Sequence, residues 1–151
     1  MQRQRGLTLL ELLVVLAIIA ISSAGVALAM RDNSQTQLER EAQRLIAKLE
    51  AARVQSRAQG LPLVWRPSAS GFVIETPAAG SDFVAQREDW LSADMSIGMS
   101  AGMKTITLGP EPIIPPATIT LSKASGQTSS AKKPINLRIG TDGLQPFHRL
   151  P

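Results

Sequence analysis

The sequence predicts an α+β protein in which a long amino-terminal transmembrane helix leads into an antiparallel β-sheet globular domain. Three observations carry this expectation. Residues 12–30 hold no charge and are almost all Leu, Val, Ile and Ala, and a helix of that length covers about 28 Å, close to the hydrocarbon thickness of a bilayer. Leu38, Ala42, Leu45, Leu49 and Ala52 then recur at steps of four and three, which is one apolar face of a second helical stretch. Beyond Gly60 the apolar residues change to strand spacing, interrupted by Gly and Pro.

The helical pattern continues from the apolar run to Gln59-Gly60, with Pro62 just beyond. Glycine accepts the left-handed cap and proline cannot continue the ladder, so one helix of about 50 residues, roughly 75 Å long, is expected. Such a helix outgrows a compact domain of this size unless its first half projects from it. Residues 63–66 and 72–75 read as a hairpin joined through Pro67-Ser68-Ala69-Ser70-Gly71. Residues 77–103 read as a loop with one short strand at 95–99. Residues 104–108, 117–121 and 134–139 supply three more strands, the first two separated by a proline-rich connection, and 122–133 form a polar loop. Thr141-Asp142-Gly143 is a turn signal that returns a last strand, 146–150, against 135–139.

At 151 residues the chain has room for one domain plus an appendage. It contains no cysteine, which excludes disulfide frameworks, thiolate metal sites and cysteine nucleophiles. Sixteen Lys and Arg against twelve Asp and Glu give a net charge of +4, but the basic residues are diluted along the chain and alternate with Glu over residues 39–53. That pattern reads as a solvated helix face rather than a nucleic-acid footprint. Arg3 and Arg5 precede the apolar run, so the positive-inside rule places the first residues in the cytoplasm and the part after Met30 across the membrane, in a bacterium the periplasm.

A basic start followed by an apolar run also fits an ordinary secretory signal, with Ala27-Leu28-Ala29 as a cleavage site. Glu11 argues against that reading, because a carboxylate inside the hydrophobic stretch costs about 2.5–3.5 kcal/mol on insertion scales. The run Arg5-Gly6-Leu7-Thr8-Leu9-Leu10-Glu11-Leu12 resembles the class III signal of type IV pilins and type II secretion pseudopilins. The resemblance implies a pilin-like fold, cleavage after Gly6 by the prepilin peptidase and methylation of the new amino terminus at Leu7. It also implies that Glu11 pairs with the amino terminus of a neighbouring subunit during assembly. An unpaired member of such a pair is strongly penalised, so the pair works as a register device; the alternative for Glu11 is a carboxylate snorkelling to the interface. Leu28 stands where many major pilins carry a helix-kinking proline, which points away from a major subunit.

The helix end Ala52-Arg53-Val54-Gln55-Ser56-Arg57-Ala58-Gln59-Gly60, the strand around Trp65, the Trp90-Leu91 segment and the closing Thr141-Asp142-Gly143-Leu144-Gln145-Pro146-Phe147 resemble the H-type minor pseudopilins of type II secretion, the GspH group. This implies a structural subunit near the tip of the periplasmic pseudopilus that drives exoprotein export across the outer membrane. The implied partners are other minor pseudopilins, the major pseudopilin, the prepilin peptidase and the inner-membrane assembly platform. The implied division is a leader at 1–6, a membrane-spanning helix at 7–30 and a periplasmic domain at 31–151, single-pass in the bacterial inner membrane. The alternative is a FimT-like minor pilin of a type IV pilus, a group in which some members bind DNA for uptake through a basic carboxy terminus. Here that end, Gly143-Leu144-Gln145-Pro146-Phe147-His148-Arg149-Leu150-Pro151, offers little phosphate neutralisation, and no nucleic acid is expected.

Catalytic chemistry is not expected. The sole histidine, His148, lies near the end with no cysteine to assist it and reads as a surface residue. Trp65 and Trp90 could stack on a sugar or base, yet in a chain so poor in aromatics they read first as core anchors. Asp82, Glu88, Asp89 and Asp94 lack the alternating ligand spacing of a calcium loop, and no glycine-rich phosphate loop occurs. No catalytic, cofactor-binding or metal-ligating residue is therefore assigned; the candidate residues are Gly6 and Leu7 for processing and Glu11 for assembly.

Overall fold

The computed structural model of the chain describes residues 9–31, 33–123 and 134–151, the side chains of 24–33 and 101 excepted. Two helices open the chain, α1 (Leu9–Arg31) and α2 (Asn33–Gln59). The single helix of about 50 residues suggested by the sequence falls on these two described stretches, and residue 32 between them lies outside the described residues. The chain divides into two compact units, Met1–Asn33 and Ser34–Pro151.

Among the described residues eight strands follow: β1 (Val64–Pro67), β2 (Gly71–Glu75), β3 (Gln86–Asp89), β4 (Met95–Met99), β5 (Ile106–Thr107), β6 (Ala117–Lys123), β7 (Ile135–Thr141) and β8 (His148–Leu150). They form two antiparallel sheets, ordered β3-β2-β1-β5 and β4-β6-β7-β8, so the antiparallel β domain expected from the sequence is divided between two sheets. Long-range pairing is the reason. β5 returns beside β1, with Trp65 opposite Ile106 and Leu108 N–H donating to the Leu63 carbonyl at 2.8 Å. The proline-rich segment after it therefore crosses from one sheet to the other.

In α2 the row read from the sequence is the buried row. Leu38, Ala42, Leu45, Leu49 and Ala52 join Leu63, Trp65, Phe72, Ile74, Ile119, Leu121, Ile139 and Phe147 in one core drawn from the helix and both sheets. The helix stops at Gly60, whose φ of +64° suits a residue without a side chain, and Leu61 N–H closes the end on the Ser56 carbonyl at 3.2 Å. The hairpin of β1 and β2 pairs Pro67 with Phe72, and Ser68 closes its turn with N–H and hydroxyl both donating to the Gly71 carbonyl. Phe72 packs between the two tryptophans, with ring centroids 6.2 Å from Trp65 and 5.3 Å from Trp90. Trp90 Nε1–H donates to the Ser68 carbonyl at 3.1 Å, so both indoles serve the core. In β6 every second residue is buried, as one face of a sheet over a core demands.

Two departures from the sequence reading concern charge. Residues 86–89 form a strand where a loop is expected, because an edge strand with a solvated face shows no apolar alternation. The Arg, Lys and Glu of α2 are also not a uniformly solvated face, since Glu41 and Arg53 are fully buried. Glu41 accepts Arg44 Nη1–H at 3.2 Å and the Leu91 backbone N–H at 2.8 Å. Arg44 donates further to the Asp89 carbonyl at 3.0 Å and to the Glu88 carboxylate, and Lys48 pairs with Glu88 as well. Together these groups hold β3 and the segment after it on α2. At the other end of the helix, Glu50 accepts Phe147 N–H at 2.9 Å, and Arg53 reaches the carbonyls of Gln145 at 3.2 Å and Gly143 at 3.4 Å. Lys123, buried in the core-facing row of β6, donates to Gln37 and Ser92. Residues 124–133 of the expected polar loop lie outside the described residues.

Two outcomes follow for stability. Leu49→Ala should destabilise the chain by about 2–5 kcal/mol, whereas Val54→Ala, at a position 63% exposed on the same helix, should stay within about 0.5 kcal/mol; urea unfolding of the full-length protein in detergent, followed by tryptophan fluorescence, compares them. Burial pushes the Glu88 carboxyl up, but hydrogen bonds and charge from Lys48 and Arg44 overcome it and leave the group below its usual range. A carboxyl lowered on folding contributes stability that is fully present above its unfolded value, about 4.3, and lost as pH falls through the folded one. Glu88→Gln should therefore lower Tm at pH 7 and converge with the parent in acid; curves that stay parallel down to pH 2 would remove the clamp from the account.

Candidate functional site

The site singled out by the sequence is the amino-terminal segment. Gly6 and Leu7 lie outside the described residues. Glu11 falls in the first described turn of α1. Around and beyond it, Leu9, Leu10, Leu12, Leu13, Val14, Val15, Leu16, Ile18, Ile19 and Ile21 are 45–82% exposed. These positions occupy every side of the helix, so the described side chains of α1 leave no polar face, and a helix apolar all round is one that other apolar matter must cover. Ser23 keeps its hydroxyl satisfied within the helix by donating to the Ile19 carbonyl at 2.7 Å, the habit of serine in an apolar setting.

Among the described residues no helix is long and apolar enough to cross a membrane. The side chains described in α1 end at residue 23, while the uncharged run of the sequence continues to residue 30.

The other residues weighed from the sequence are not brought together. Glu88 is taken by Arg44 and Lys48, and among the described residues no group of three or more His, Asp and Glu side chains is placed to hold a metal ion. His148 is exposed, its Nδ1 3.0 Å from the Pro146 carbonyl oxygen. The closing turn is built more elaborately than its sequence signal suggests. Asp142 accepts the Gln145 and Leu144 backbone N–H groups at 2.8 and 3.0 Å, and these bonds lower its pKa. Gly143 sits at a φ of +96°, where a Cβ would run into the Ile114 carbonyl oxygen. Its own carbonyl accepts Ile114 N–H at 3.2 Å and Arg53. Sequence reasoning missed the buried Glu41 and Arg53. Their spacing carried a signal: Glu41 stands three residues after Leu38 and four before Leu45, and Arg53 four after Leu49, which puts both beside the apolar row.

Comparison with known proteins fits this arrangement. Residues 1–27 match the prokaryotic N-terminal methylation motif. No curated protein matches the chain significantly. Among solved structures, the type IV minor pilin FimU of Pseudomonas aeruginosa (strain PAO1) is similar in two crystal forms. The first gives a TM-score of 0.58 at 16% identity, covering 78% of this chain and 91% of FimU; the second gives 0.54 at 15%, covering 75% and 92%. This chain thus joins a prokaryotic N-terminal methylation motif to the α+β fold of a type IV minor pilin.

Proposed function

We propose that the chain is a non-catalytic minor subunit of a pilin-type fibre. The observation that carries this reading is a methylation motif, residues 1–27, that takes in most of a helix whose described apolar side chains are exposed on every side, on a chain with a minor-pilin fold. In this reading the prepilin peptidase cuts after Gly6 and Leu7 becomes the methylated amino terminus. The apolar helix, residues 7–30, holds the subunit in the bacterial inner membrane with the domain from residue 31 in the periplasm. During assembly the helix exchanges lipid contacts for contacts with neighbouring helices, which packing and interhelical bonding make tolerable. Glu11, pairing with a neighbour's amino terminus, sets the register.

The assignment within that class is to the H-type minor pseudopilins of type II secretion, on the residues that resemble that group from Ala52 to Phe147. Its partners are then the other pseudopilins and the assembly platform, and its work is exoprotein export. The likeness to FimU, a type IV minor pilin, favours a second reading as a minor pilin of a type IV pilus. Deleting the gene separates them: loss of exoprotein secretion with pili intact supports the first, loss of piliation with secretion intact the second.

Intact mass and amino-terminal sequencing of the membrane-extracted protein test the common core. A methylated Leu7 start is the expected result, and an uncut Met1 or a cut near Ala29 overturns it. Glu11→Ala should be cleaved normally yet enter the fibre several-fold less efficiently, measured as the crosslinked fraction in sheared fibres; normal entry would remove the pairing role. Replacing Gly6 with a bulky residue such as Leu should block processing, leaving the leader on the chain by mass.

A further inference from the structure

The closing turn carries the pair of residues most open to spontaneous rearrangement of the backbone. Asp142-Gly143 is the one place in the sequence where an Asp or Asn precedes a glycine. A glycine nitrogen, unhindered by any side chain of its own residue, can attack the carboxyl carbon of the aspartate before it. The fold has no freedom to dispense with either residue. Gly143 sits at a φ of +96°, and a Cβ on it would run into the Ile114 carbonyl oxygen. Asp142 caps the turn, its Oδ1 accepting the Gln145 and Leu144 N–H groups at 2.8 and 3.0 Å.

In the folded domain every group that the rearrangement needs is engaged elsewhere. Gly143 N–H donates to the Thr141 hydroxyl oxygen at 2.9 Å. Thr141 is buried, and its hydroxyl is fixed in turn by donating to the Gln145 carbonyl at 2.6 Å. The Gly143 carbonyl accepts Ile114 N–H at 3.2 Å and Arg53 at 3.4 Å, which holds the residue against turning its nitrogen toward the Asp142 side chain. The two bonds to Oδ1 also keep the carboxyl below its usual pKa and so ionised, and an ionised carboxylate has no hydroxyl to lose.

We infer that Asp142-Gly143 is a modification site of this chain, latent while the closing turn is folded and converted to isoaspartate when that turn opens. In the opened turn the carboxyl takes up a proton, the Gly143 nitrogen bonds to Asp142 Cγ, and the carboxyl's hydroxyl leaves as water with the nitrogen's proton, which closes a five-membered imide. Water then adds to the Asp142 backbone carbonyl carbon in that ring and breaks its bond to the Gly143 nitrogen. The main chain now runs through Cβ and Cγ, lengthened by a methylene, and the former backbone carbonyl is a free carboxylate. Water leaves and water returns, so no other reactant is consumed and the mass is unchanged. A lengthened turn cannot keep Gly143 on Ile114 and Arg53 while Phe147 N–H stays on Glu50 at 2.9 Å. The modification is therefore a one-way switch: a turn that has opened and reacted does not close again. The inference goes beyond the fibre reading and does not rest on it.

Peptide mapping with electron-transfer fragmentation tells isoaspartate from aspartate at residue 142. It is applied over time to the full-length protein at neutral pH, folded in detergent and unfolded in concentrated urea. The folded chain should form isoaspartate slower than the unfolded one by about tenfold or more, since reaction waits on local opening. Thr141→Val removes the oxygen that holds Gly143 N–H at nearly the same shape and should raise the folded rate several-fold, while Thr141→Ser, which keeps the hydroxyl, should hold the rate of the parent. Should Thr141→Val unfold, the parent and Thr141→Ser, each compared folded and in urea, decide the matter. Equal rates in folded and unfolded parent overturn the inference, as does a folded Thr141→Val no faster than the parent or a Thr141→Ser that loses the protection. The one-way switch is read on the isoaspartate form after removal of urea: amide exchange over residues 143–150 should be faster than in the parent, and exchange as slow as the parent's overturns it. Amino-terminal sequencing bears on the fibre reading alone, so the two stand or fall separately.

Discussion

Burial of one face of α2 is the constraint on which the domain depends. Leu38, Ala42, Leu45, Leu49 and Ala52 leave water together and meet side chains from both sheets in a single core. Neither sheet is large enough to bury an apolar face alone; each has four strands, several of them only two to five residues long, and small β units need a helix or a second sheet to stand on. The helix gives two separate sheets one common floor.

Charge then fixes which segments lie on that floor and where. At one end Glu41, Arg44 and Lys48 hold β3 and the segment around Leu91; at the other Glu50 and Arg53 hold the closing turn and Phe147. Buried ion pairs of this kind add little net stability over apolar packing, but removing one partner leaves a stranded charge or an unmet backbone group. They therefore act more on specificity than on stability: β3, which has almost no apolar side chains of its own, finds its place through them. The same helix carries its buried row while the segment before it, α1, exposes apolar side chains on all sides. One stretch of chain is built to be covered by its own domain and the other by something else, and that contrast is the physical root of the assembly function proposed above.

Much of this was legible in the residues. The face of α2, its stop at Gly60, the hairpin of β1 and β2, β4 with its full bounds and the pairing of the last strand with β7 all follow from local rules: periods of 3.6 and 2, the freedom of glycine at positive φ and the signal of Thr141-Asp142-Gly143. β3 did not follow, because an edge strand clamped by ion pairs shows no apolar alternation. The burial of Glu41 and Arg53 was overlooked because their charge outweighed their position on the helix.

What a single sequence determined here is what depends on neighbours along the chain: helices, turns, most strands, and the motif ahead of the apolar run. What folding in three dimensions decided is what depends on residues far apart. β5 joins β1 across some forty positions, the strands divide into two sheets, Glu88 faces Arg44 and Lys48, and β4 lies at the edge of its sheet. Pairing between distant strands is chosen by which arrangement buries the shared core and satisfies its polar groups at once, a condition that no local window of sequence contains.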